Sequence, residues 1–106
     1  SKSVIEEVRS VLTVGTATNY HGLTCGPNVE TSDSLIIVEG RNDVRNLLNF
    51  GVKNAISCDG AGNIKQELID LANGKENVIL AIDGDRGGEM LFRQLNETLK
   101  IDFVAL

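Results

Sequence analysis

From residue 34 onward the chain alternates short, continuous apolar runs with longer stretches of helical periodicity. Leu35-Ile36-Ile37-Val38, bounded by Ser34 and by Glu39-Gly40, predicts a strand covered on both faces. Val44, Leu47, Leu48 and Gly51 then recur at the i, i+3, i+4, i+7 spacing of an amphipathic helix. A short strand over Asn54–Cys58 leads into the loop Asp59-Gly60-Ala61-Gly62. Asn63 and Gln66 have N-cap spacing for a second helix, which turns Ile64, Leu68, Leu71 and Ala72 inward and stops at Gly74. Val78–Ile82 is the most apolar run and predicts a central strand. A third helix carries Leu91, Phe92, Leu95 and Leu99 inward, and Ile101–Ala105 is the last strand. Four strands alternating with three helices predict an α/β fold: a four-stranded parallel sheet with right-handed crossovers and flanking helices.

Residues 1–33 read differently. Ser3 and Glu6 have capping-box spacing, and Val4, Val8, Val11 and Leu12 share one face, which predicts a helix over Ser3–Thr13. Nothing periodic follows before Asp33. Gly15, Asn19, Gly22, Gly26, Pro27 and Asn28 mark a connector. The expected organisation is therefore an N-terminal helical arm and linker over 1–33 and a compact domain over 34–106. The chain stops on Val104-Ala105-Leu106, inside an expected strand, so it reads as a piece of a longer protein.

With 106 residues there is room for one modest core. No apolar run is long enough to span a bilayer. Two cysteines, Cys25 and Cys58, are too few and too far apart for a disulfide framework, which favours a reducing, cytoplasmic setting. With His21 they supply at most three zinc ligands and no paired spacing, so structural zinc is set aside. The net charge of −5 argues against coating nucleic acid by charge alone. It leaves open a protein that reaches phosphates through bound metal.

Carboxylates gather where the strands should end. In open parallel sheets, ligands bind beyond the carboxyl ends of the strands, at the point where strand order reverses. Glu39 follows the first strand, and Asp83 and Asp85 follow the third. Asp43, four residues after Glu39, falls in the first turn of the next helix. Without Glu39, Asp43, Asp83 and Asp85 the net charge falls from −5 to −1, so most of the acidic excess belongs to one place. Two divalent ions would neutralise it, and all-oxygen ligands favour magnesium or manganese. Local readings stand beside this one. Asp85 reads equally as a helix cap and Asp83 as a turn residue. Arg41 and Arg86 are ion-pair partners or phosphate ligands. Gly87 and Gly88 permit tight helix packing or the approach of a phosphate.

Val38-Glu39-Gly40 with Asp43, followed later by Asp83-Gly84-Asp85-Arg86-Gly87-Gly88, resembles the two motifs of the Toprim domain, shared by DnaG-type primases, topoisomerases and small nucleases. Gly26-Pro27, Ser32-Asp33-Ser34, Ile37-Val38-Glu39-Gly40-Arg41 and Lys53-Asn54-Ala55-Ile56 bring the wording nearest to archaeal DnaG-type primases. The resemblance covers about residues 24–105. It implies a Rossmann-like four-stranded parallel sheet and a magnesium site. Glu39 is implied as a metal or acid–base residue, Asp83 and Asp85 as metal ligands and Asp43 as the trailing acid. The implied activity is synthesis of short RNA primers on a DNA template from nucleoside triphosphates, and an association with RNA exosome subunits is implied as well. A fragment of this size, without a basic groove, is not expected to prime alone.

Four rival readings use part of the same residues. A Toprim nuclease would use water as nucleophile on the same metals. A topoisomerase would need a nucleophilic tyrosine, and the chain has only Tyr20, in the arm. A binding module for nucleic acid or the exosome would hold metal without chemistry. A haloacid-dehalogenase-like phosphatase also pairs two aspartates, but after its first strand rather than its third.

Overall fold

The computed structural model describes residues 16–59 and 63–105. The helix expected over Ser3–Thr13 and the glycines of the 59–62 loop lie outside the described residues.

Four strands run parallel: β3 (Ser34–Val38), β4 (Ala55–Ser57), β5 (Asn77–Ala81) and β6 (Phe103–Ala105). Three helices connect them: α1 (Arg41–Asn49), α2 (Gln66–Asn73) and α3 (Arg86–Thr98). The strand order β4-β3-β5-β6 places the first parallel strand inside the sheet, so the chain reverses direction between β3 and β5. Connections of one hand that run in opposite directions must land on opposite faces. The packing agrees. Val44 and Leu48 of α1 cover Val38 on one face. Leu68 and Ala72 of α2, with Leu91 and Leu95 of α3, cover Leu35, Ile37, Val78 and Leu80 on the other. These four strand side chains are fully buried, each stabilising the fold by roughly 1.5–3 kcal/mol.

The expected linker over 14–33 is corrected by an antiparallel hairpin, β1 (Thr18–Tyr20) and β2 (Leu23–Cys25), which extends the sheet to six strands. β2 joins through Cys25 opposite Ile56 of β4. The turn between them has two residues, His21 at φ 50° and Gly22 at φ 89°, the double positive φ of a type I′ turn. The Asn19 side chain braces it by accepting from Gly22 N at 2.8 Å. Three-residue strands are too short to show a period of two, and His-Gly is an uncommon form of this turn. The glycine after β2 also has a packing role. Gly26 N donates to Ala55 O at 2.8 Å, and a Cβ on Gly26 would overlap the Lys53 carbonyl.

Several boundaries differ from expectation by a residue or two, and two of the differences have a visible cause. α2 starts at Gln66, with an extended Lys65 at its N-cap, instead of being capped from Asn63. Lys65 has no side-chain oxygen with which to cap; its ammonium donates across to His21 O at 2.6 Å. The last strand is shorter than 101–105 because Asp102 bonds Val78 on both its main and side chains before the β6 ladder begins.

Candidate metal-dependent phosphoryl-transfer site

Register at the centre of the sheet decides where the acids go. β3 and β5 pair through five residues, ending on Val38 opposite Ala81. The chain therefore leaves both strands at the same level, with Glu39 one residue past one of them and Asp83 two residues past the other. A cleft of about 260 Å³ opens there, lined by Glu39, Asp43, Asn46 and Asp83 over Val38, Leu47, Ala81, Ile82 and Ala105. A second groove adjoins it along α1, lined by Glu39, Gly40, Arg41, Asn42, Asp43 and Arg45.

Each acid is held by its own local structure. Asp43 is the third residue of α1, and its Oδ2 accepts from Gly40 N at 3.1 Å. Gly40 has no side chain, so this is half of a capping box, and it fixes the turn that follows Glu39. Asp85 is the N-cap of α3, accepting from Gly88 N at 2.8 Å. The cap reading of Asp85 thus describes its structure, and it engages one carboxylate oxygen. Asp83 and Asp85 are exposed and Glu39 is half-buried.

The two glycines separate in role. Gly88 is buried, its N–H is engaged by Asp85, and a Cβ there would overlap the Asp83 carbonyl oxygen. It serves close packing of α3 on the end of β5. Gly87 is exposed, and a Cβ there would lie 3.5 Å from Asp85 Oδ1 and 4.0 Å from Glu39 Oε1. The missing side chain leaves open space between those two carboxylates. Arg41 opens α1 beside the cleft and is exposed. Arg86 opens α3; its side chain lies outside the described residues.

Sequence reasoning missed three contributors. Asn46 lies one turn after Asp43 on the same helix face, a spacing that makes it legible in retrospect. Ala105 reaches the cleft only because β6 pairs with β5. Ser57 is fully buried. Its hydroxyl lies 3.3 Å from the Glu39 carbonyl and 3.2 Å from Asp59 Oδ1, either of which it can donate to, and it accepts from Asp59 N at 3.1 Å. It links the ends of β3 and β4, and Asp59 meets it at φ 59°, a left-handed conformation that aspartate tolerates.

A Toprim domain model matches residues 33–105. The chain belongs to the Toprim family. It is also similar along nearly its whole length to archaeal proteins named DNA primase DnaG. Identity is 44% to that of Methanothermobacter thermautotrophicus, over 99% of this chain and 28% of that protein. It is 46% to that of Saccharolobus solfataricus, over 98% and 27%, and 41% to that of Methanopyrus kandleri, over 99% and 25%. This Toprim chain spans only about a quarter of the length of those relatives. No solved structure matches it.

Among the described residues, no three His, Cys, Asp or Glu side chains converge closely enough to enclose a metal ion. The donor set nevertheless suits magnesium. That ion keeps several waters and takes one or two carboxylates together with substrate phosphates, so it needs no all-protein cage. Oxygen donors on an open cleft, with a gap at Gly87 between Asp85 and Glu39, have that character. Among the described residues no helix is long and apolar enough to cross a membrane.

Proposed function

We propose that this Toprim domain is the catalytic centre of a DnaG-type primase, joining nucleoside triphosphates into short RNA primers on a DNA template. The observation that carries the reading is the level pairing of Val38 with Ala81, which sets Glu39 and Asp83 on one cleft. Similarity to proteins named DNA primase DnaG supports reading that cleft as a site of nucleotidyl transfer. Asp83, Asp85 and Glu39 would hold magnesium, with manganese as its substitute, and Asp43 would hold the turn beneath Glu39 and complete the charge. Two ions fit the four acids by charge. Bound divalent ions polarise phosphate oxygens and lower the pKa of the attacking hydroxyl.

The chain's own residues supply position. Arg86 would hold triphosphate oxygens, with the main chain at Gly87 the point of closest approach, while Gly88 acts through packing. Glu39, half-buried on the wall of the cleft, is a carboxylate that can take the proton of the 3′-hydroxyl. Apolar Val38, Leu47 and Ala81 form the cleft floor and limit water beneath the reacting groups.

Two experiments test this. Magnesium added to the chain should shift the NMR signals around Glu39, Asp83 and Asp85 before any others. Asp83→Asn in the full-length protein should abolish primer synthesis, and synthesis at the parental rate would refute the catalytic role. Cleavage of single strands by the parent without primer synthesis would move the site to the nuclease reading.

A further inference from the structure

Helix α1 carries its basic residues against its own physics. Cations are favoured at a helix C-terminus, yet Arg41 is the first residue of α1, and the last turn contains no basic residue. Arg45 follows one turn later on the same side, a like-charge spacing that disfavours the helix further. Both are exposed, and both line the groove that opens from the acid cleft along α1. The acids beside them do not pair with them. Asp43 is bonded back to Gly40 N, and the salt bridge found among the described residues, Lys100–Asp102, lies elsewhere. Local rules are broken most often where a site requires it.

We propose that Arg41 and Arg45 form a phosphate track that seats the sugar–phosphate backbone of a single-stranded nucleic acid and leads it into the acid cleft. This rests on the proposed primase reading and names what lies across the mouth of its site. Two guanidiniums one turn apart, with Cβ atoms about 5–6 Å apart, can each take one phosphate in a forked geometry. A duplex, with a charge every ~1.7 Å along its axis, calls for a broad basic face, and a chain of net charge −5 does not offer one. One strand on one helix edge matches two arginines.

The test is binding of a fluorescent twelve-nucleotide oligo(dT) to the chain over a series of salt concentrations, in EDTA and again in magnesium. Each of Arg41→Gln and Arg45→Gln should weaken binding several-fold at low salt. Each should also reduce the slope of log affinity against log salt by about 0.7, the value for one single-strand phosphate. Glutamine keeps helix propensity, and circular dichroism confirms that the variants fold. The EDTA series removes the metal, so an arginine effect there belongs to the track alone. Asp83→Asn should alter only the magnesium series, which reports on the metal reading separately. No binding by the parent, an unchanged slope in Arg45→Gln, or equal displacement by poly-glutamate would overturn the proposal.

Discussion

Gly88 lies against the main chain of Asp83 so closely that any side-chain carbon on it would overlap the Asp83 carbonyl oxygen. The obstacle is backbone, which cannot rotate away. Glycine to alanine inside a helix normally stabilises by about 0.5–1 kcal/mol; here the sign should reverse. Gly88→Ala is expected to cost about 1–3 kcal/mol, the usual penalty for overfilling a packed site. It should also displace the Asp83 loop. Urea unfolding measures the first effect and loss of magnesium-induced shifts at Asp83 the second.

Asp85 has two duties that substitution can separate. Its Oδ1 caps α3 through Gly88 N, and its charge belongs to the proposed metal site. Asparagine caps about as well as aspartate, whereas alanine loses about 1 kcal/mol. Asp85→Ala should therefore unfold more easily than Asp85→Asn, while both weaken magnesium binding alike. Parental magnesium affinity in Asp85→Asn would reduce the residue to a cap.

Cys25 gives a pH dependence. Burial chiefly, and Glu30 secondarily, raise its thiol above the ordinary value of 9.0. The folded state therefore keeps the proton when the unfolded chain has lost it. The sign follows: this contribution is complete below pH 9 and is lost as pH rises from there through the folded value. Unfolding midpoints should fall above pH 9, and less steeply in Cys25→Ala. Alkylation of Cys25 by iodoacetamide at pH 8 should be slow until denaturant is added, because the thiol is both buried and protonated.

Strands β3, β5 and β6 were legible because each carries a continuous apolar run, and so were the helices through Val44, Leu48, Leu91 and Leu95. Glu39, Asp43 and Asp83 were legible as a group because strand ends in such sheets face one crevice. The hairpin was not, because three-residue strands such as Leu23-Thr24-Cys25 carry almost no pattern. The bridging hydroxyl of Ser57 was equally hidden. Its partners include the carbonyl of Glu39, eighteen residues away in sequence, and main-chain acceptors leave no trace in residue type. Sequence also offered packing and phosphate approach as equal roles for Gly87 and Gly88, and only the three-dimensional contacts divided them.

That division makes Gly87→Ala the most discriminating change near the cleft. The added methyl meets Asp85 Oδ1 at 3.5 Å and Glu39 Oε1 at 4.0 Å, both ordinary contacts, so nothing must move. The helix should gain about 0.5–1 kcal/mol from the lost freedom of glycine. The same methyl fills the space between two carboxylates that a hydrated ion and its phosphate would share. Stability and binding should therefore move in opposite directions: a higher melting temperature, with magnesium and nucleoside triphosphate bound several-fold more weakly. Calorimetric titration beside thermal melting reads both. If the variant is stabilised and binds both as the parent does, the gap at Gly87 has no part in the site.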